Sequence, residues 1–202
     1  MKLPFLASFI IFILVLARRI KRQDRLSEKE NRSFWEREAR ANATRRKPLD
    51  DLEYITIPWD ALPTEVMQDD ATVAECQRLL RELSEQRIVN FTGFTNTDLK
   101  LEYGAPNITL LTEYDQNYTV LVRTLQQWAD VLWDGGYEAE ASIIMEFAIS
   151  THTDVSRTYY KLAQYWASHG ESMQIERLLA TAETLRSANK ASIIRTLKDN
   201  YQ

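Results

Sequence analysis

Residues 3–17 read LPFLASFIIFILVLA, an uncharged run that ends abruptly at Arg18-Arg19-Ile20-Lys21-Arg22. A helix built from it is apolar on every side and has to be buried, in protein or in lipid. Fifteen helical residues rise about 22 Å, whereas a bilayer core about 30 Å thick asks for about 20 residues. The segment reaches that length if Ile20 joins it and the arginines extend their charged ends to the interface. A cleaved signal peptide would place the basic residues before the apolar run and small residues at its end. Here the positive cluster follows the run, and Val15-Leu16-Ala17 lacks the small residue three positions before a cut. Residues 1–20 are therefore expected to be an uncleaved transmembrane anchor. Basic flanks stay on the cytoplasmic side, which puts the carboxy-terminal body in the cytoplasm at the cell membrane. The alternative is an amino-in anchor with an exported body.

Charge divides the remainder. Residues 18–47 hold twelve Lys/Arg against five Asp/Glu, and residues 48–202 hold twelve against twenty-four. A basic stretch beside an acidic body points to one surface for anionic lipid and another for partners. Arg18, Arg19, Lys21, Arg22 and Arg25 are the expected membrane-surface residues. An acidic body argues against nucleic acid as a partner. Residues 21–47 contain no Gly or Pro, and Glu28, Arg32, Glu36 and Arg40 alternate in sign, each one helical turn from the next. This predicts a charged juxtamembrane helix that continues out of the anchor.

Five Gly and five Pro in 202 residues suit long helices. The expected fold class is all-α: an amino-terminal transmembrane helix, a charged helix, then a helical domain. Residues 48–121 read as an irregular helical region. It opens on an extended strap, Leu52 to Trp59, because Pro58 and Pro63 forbid a continuous helix. Ile55, Ile57 and Trp59 share one side of that strap. Thr64 or Asp69 can cap a helix running to about Gln86, with Val73, Cys76, Leu79, Leu80 and Leu83 in its apolar stripe. Cys76 is the single cysteine, which excludes an internal disulfide and reads as a core position. Thr97 or Asp98 begins a short helix that Gly104-Ala105-Pro106 stops. The chain is helical from Ile108 almost to its end.

Asn-x-Ser/Thr occurs at Asn31, Asn42, Asn90, Asn107 and Asn117, five of eight asparagines. In a secreted eukaryotic protein these would be glycan acceptors. Capping and turn roles account for some of them, and the excess stays open at this level.

The chain repeats itself near its end. The shift that lays Gly136 over Gly170 also lays Trp128-Ala129 over Leu162-Ala163, Leu132 over Trp166, Ala141 over Ile175, Met145 over Leu179 and Ala148 over Ala182. Small residues at such positions let two helices approach, and the glycines end the first helix of each pair. Residues 122–155 and 156–189 thus read as two copies, with Ser192 to Leu197 in a capping helix. The second copy contains Tyr159-Tyr160-Lys161-Leu162-Ala163-Gln164-Tyr165-Trp166-Ala167-Ser168-His169-Gly170. That segment resembles the first helix of a tetratricopeptide (TPR) repeat, and the step from Gly136 to Gly170 matches the TPR period of about 34 residues. The sequence departs from the TPR pattern at Ile175, where a small residue is usual, at Leu125, where an aromatic is usual, and in lacking the proline that closes each repeat. The whole chain also resembles small bacterial single-pass membrane proteins with a helical TPR-like domain, a likeness that carries no activity with it.

Chemistry is hard to find. His152 and His169 are in no metal-ligand spacing, and Asp154 reads as a helix cap rather than an acid–base partner of His152. No phosphate-cradling loop or nucleophile elbow occurs. No enzyme activity, metal, cofactor or small-molecule substrate is expected. The expected function is a membrane-tethered adaptor that holds a protein or peptide on the concave face of the stack; the alternatives are an extracytoplasmic assembly factor with the same domain and an enzyme with a site that no motif announces. Its contact residues would be Arg123, Gln126, Gln127, Asp130 and Trp133 in the first copy, and Arg157, Tyr160, Lys161 and Gln164 in the second. Arg157 and Lys161 sit one helical turn apart and could grip a peptide carboxylate. They could equally be paired within the chain.

Overall fold

The computed structural model describes residues 3–201, with part of the side chains between residues 3 and 29, Arg25 among them, outside the description. The described residues are all-helical, with no strand. The chain divides into two compact units. One is the segment up to Lys47 together with Asn96–Asn107, and the other is Pro48–Thr95 together with the residues from Ile108 onward.

In the first unit, α1 spans Leu3–Ala43. Pro4 lies in its first turn, where a missing N–H costs nothing. Among the described residues no helix is long and apolar enough to cross a membrane. The anchor expected over residues 1–20 falls mostly on side chains outside the described ones. The charged stretch is helical up to Ala43, and Phe34 and Trp35 remain 53% and 68% exposed on it, one ring edge-on to the other. Its end is clasped by α3 (Asn96–Tyr103), which starts at Asn96 rather than at Thr97 or Asp98. Glu38 accepts from the Thr97 hydroxyl and lies 3.4 Å from Lys100 Nζ, while Arg37 pairs with Asp98. The Thr97 hydroxyl first, then the positive Lys100 and Arg37, hold the Glu38 carboxyl below its ordinary value. Beneath these contacts Ala41 and Leu99 are buried. Residues 96–107, grouped by sequence with the irregular region, thus belong with α1.

In the second unit, α2 (Ala71–Ser84) begins slightly later than expected. Asp70 is its cap, and the carboxylate accepts from the N–H groups of Thr72 and Val73 at 2.8 and 3.0 Å. Neither Thr64 nor Asp69 has that role. Val73, Cys76, Leu80 and Leu83 are buried, while Leu79 sits at the edge of the stripe, half-buried. The strap is extended up to a single 3-10 turn at Trp59–Ala61. Ile55 N–H donates to the Ile88 carbonyl at 2.9 Å, and Trp59 Nε1 donates to Ser84 Oγ at 2.9 Å beneath the Arg81 guanidinium.

The rest is a run of helices. They are α4 (Ile108–Asp134), α5 (Glu138–Ser150), α6 (Ser156–Ser168), α7 (Ser172–Thr184) and α8 (Lys190–Tyr201). Both bounds of α7 lie beyond those of α5 by the same step that separates Gly170 from Gly136. The ends of α4 and α6, at Asp134 and Ser168, keep that step too, although α4 begins at Ile108, well ahead of the first copy at Val122. Gly136 and Gly170 occupy the turns with φ of +84° and +74°, a conformation that side-chain-bearing residues rarely adopt. The small residues Ala129, Ala141, Ala148, Ala163 and Ala182 are all buried, packed among Trp128, Leu132, Tyr159, Leu162 and Leu179. Ile193 and Leu197 of α8 complete this core.

Candidate functional site

The face expected to bind a partner is built by α4 and α6, and it is tied together by its own side chains. One oxygen of Asp130 accepts from Lys161 Nζ at 2.8 Å and from Gln126 Nε2 at 3.0 Å, and Arg157 Nε lies 3.3 Å from it. Thr158 Oγ1 donates to Gln126 Oε1 at 2.6 Å, extending the network across both helices. Lys161 Nζ also lies 5.1 Å from the centre of the Trp133 ring. The Lys161 side chain is only 14% exposed and that of Asp130 21%, whereas Arg157 remains 59% exposed. The two cations that could have gripped a foreign carboxylate therefore share one from their own chain. Of the other expected contacts, Arg123, Gln127 and Gln164 face solvent, and Tyr160 and Trp133 are half-buried. Arg18, Arg19, Lys21 and Arg22 are exposed on α1, and Arg25 lies outside the described side chains.

The turn between α5 and α6 differs from expectation. Asp154 does not cap α6, whose capping position, Val155, has no side-chain cap. Asp154 instead accepts from the Ser187 hydroxyl and from Asn189 Nδ2, joining this turn to the one before α8. Two tyrosines support the turn from below. Tyr118 OH donates to the Thr151 carbonyl at 3.1 Å and Tyr159 OH to the Thr153 carbonyl at 3.0 Å. Burial pushes the Tyr118 hydroxyl up to about 12, so it stays a donor. His152 follows in a left-handed conformation, φ +58°.

The asparagine motifs find a structural use. Asn107 is fully buried, and its Nδ2 donates to the carbonyls of Lys47 and Tyr103, both at 2.8 Å. Asn90 Nδ2 donates to the carbonyls of Thr151 and His152 at 2.9 and 3.1 Å, while its Oδ1 takes the Thr92 N–H. Asn117 Nδ2 donates to the Arg87 carbonyl at 3.0 Å. In Asn107 and Asn90 both amide hydrogens are engaged, which leaves none for a glycan in this fold. Asn31 and Asn42 are exposed on α1.

A cleft of about 400 Å³ lies where four segments meet: Glu53 to Ile55 of the strap, Val89 to Phe94 of the connector between α2 and α3, the α5 end at Ser150 to His152, and the α7 end at Thr184 to Arg186. Its polar groups come from loops and helix ends at scattered positions, so no spacing along the chain announces them. A second groove of about 320 Å³ runs over Leu162 and Trp166 between α5 and α7. Glu146 on its edge has a carboxyl raised by burial, with Glu171 adding to the effect. Among the described residues no group of three potential metal ligands occurs. No protein-family model, curated protein or solved structure matches this chain.

Proposed function

We propose that this chain is a membrane-tethered interaction module, an adaptor whose two TPR-like helix pairs hold a protein or peptide along the α4–α6 face. The observation that carries the reading is the recurrence of helix bounds and left-handed glycine turns at one fixed step. That step is the period of stacked repeats that present such a face. The apolar run before Arg18 supports a tether, and the exposed Arg18, Arg19, Lys21 and Arg22 support contact with anionic lipid on the cytoplasmic side. On the binding face the Asp130 network serves as a rigid floor, and the exposed Arg123, Gln127, Arg157 and Gln164 are the groups placed to meet a partner.

The test is capture of partners by the full chain in detergent, followed by comparison of variants. Arg157→Ala and Gln164→Ala should lose binding without a change in melting, and the distant Lys198→Ala should keep it. Lys161→Ala leaves Asp130 with less charge compensation and should lower stability by about 1–3 kcal/mol, so it cannot serve as a clean probe of binding. If Arg157→Ala and Gln164→Ala bind like Lys198→Ala, the face is wrong. The reading that places the body outside the cytoplasm drew on the Asn-x-Ser/Thr motifs, and the backbone bonds of Asn90, Asn107 and Asn117 account for three of the five without it. A carboxy-terminal topology reporter that shows export would restore it.

A further inference from the structure

We propose that the cleft between the strap, the connector and the ends of α5 and α7 binds a small organic monoanion, a carboxylate carried on an apolar group. Its volume of about 400 Å³ falls in the range of small-molecule sites, about 300–1,000 Å³. The group that selects charge is Arg186. It makes no ion pair or hydrogen bond among the described residues, in a unit that is otherwise strongly acidic. Its guanidinium lies over the Phe94 ring, 5.0 Å from the centre, a cation–π contact. Its backbone is seated on Gly93, where an added Cβ would come within 2.6 Å of Arg186 Cβ and 2.7 Å of the Arg186 carbonyl oxygen. Arg186 is exposed to solvent, and with its backbone seated on Gly93, its guanidinium over Phe94 and no anion of its own chain it is available to one from outside.

The opposite wall is also set in advance. His152 keeps its left-handed backbone because Asn90 clamps the two carbonyls that flank its Cα. A left-handed residue just past a helix end is a common way to terminate a helix, and here the Asn90 contacts fix it. The clamp directs the imidazole toward Thr184, with Nδ1 3.4 Å from its hydroxyl. Between these walls Val89 and Leu185 are buried and Ile55 half-buried, an apolar lining for the ligand's body. One guanidinium offsets one negative charge, and the Glu53 carboxylate in the same lining opposes a second, which disfavours a dianion such as phosphate.

The full chain in detergent micelles can be titrated by calorimetry with benzoate and hexanoate as probes, with neutral benzamide and inorganic phosphate beside them. At least one carboxylate should bind saturably, with benzamide and phosphate at least about tenfold weaker. Arg186→Gln should weaken the carboxylate at least about tenfold with melting unchanged, while Arg177→Gln should bind like the parent. If Arg186→Gln melts earlier, Arg186→Lys takes its place and should still lose several-fold, because an ammonium lacks the fork. The proposal is overturned if neither carboxylate binds below about 10 mM, if benzamide binds as well as benzoate, or if the charge-removing variant keeps the affinity.

Discussion

Single atoms decide several features of this protein. Gly104 has φ +96°, and a Cβ there would run into the Arg45 carbonyl oxygen and lie 2.8 Å from Arg45 C. Gly104→Ala is expected to destabilise by about 1–3 kcal/mol, the range for a strained left-handed residue, and to loosen the packing of residues 44–47 on α3. Hydrogen exchange at Lys47 N–H, which donates to the Tyr103 carbonyl at 3.0 Å, reads this directly. Unchanged protection would show that the approach relaxes freely. Cys76 lies at the centre of α2's buried stripe, 1% exposed. Burial, with Glu75 and Asp70 nearby, pushes its thiol up to about 11. Because the thiolate is the reactive form, an aromatic disulfide reagent at neutral pH should label Cys76 only after unfolding. Rapid labelling of the native chain would contradict this placement.

At the scale of elements, the helix pairs depend on one large aromatic and the small residues beside it. Trp166 of α6 is 7% exposed, and Ala163 and Ala182 are fully buried. Trp166→Ala should cost about 3–5 kcal/mol as a large side chain leaves a cavity. Because Trp166 also floors the groove between α5 and α7, partial collapse there would bring the cost to the lower end. Ala163→Leu and Ala182→Leu should each cost about 1–3 kcal/mol by overpacking. Thermal melting of the three variants checks both, and a set of unchanged transitions would refute the packing. Within the core, Trp128 Nε1 is buried with no hydrogen-bond partner among the described residues, a cost that burial of the whole indole ring offsets.

For the molecule as a whole, the second unit has its own continuous core, from Ile57 and Val73 through Trp128 and Trp166 to Leu197. Deleting residues 1–17 removes the apolar run and leaves both the clasp of α3 on the end of α1 and this core intact. If the run is the proposed tether, the shortened chain should be soluble, helical and cooperative in melting, and should leave the membrane fraction in which the full chain is found. An aggregated product, or a melting curve without a transition, would show that the body depends on the segment removed. Replacing Arg18, Arg19, Lys21 and Arg22 by Gln in the full chain should weaken control of orientation, measured with reporters at both ends.

Much of the helical order was legible from sequence, because it rests on short-range physics. Apolar spacing along α2, α6 and α7, glycines at 136 and 170, and the proline-bounded strap each act over a short stretch of chain. Helix starts were read less well. Asp69 and Asp70 are neighbours, and only the backbone geometry shows which carboxylate reaches the N–H groups of Thr72 and Val73. What tertiary structure alone decided is pairing between distant residues. Asp130 on α4 pairs with both Arg157 and Lys161 on α6, with the whole of α5 between them in the chain. Asn90 clamps the α5–α6 turn from a connector that precedes α3. The cleft at Arg186 draws its lining from four separate segments. Local sequence determines which residues turn, cap or join an apolar stripe. Which charges meet, and which amide reaches which carbonyl, follows from packing of the helices against one another, and that carries no periodicity along the chain.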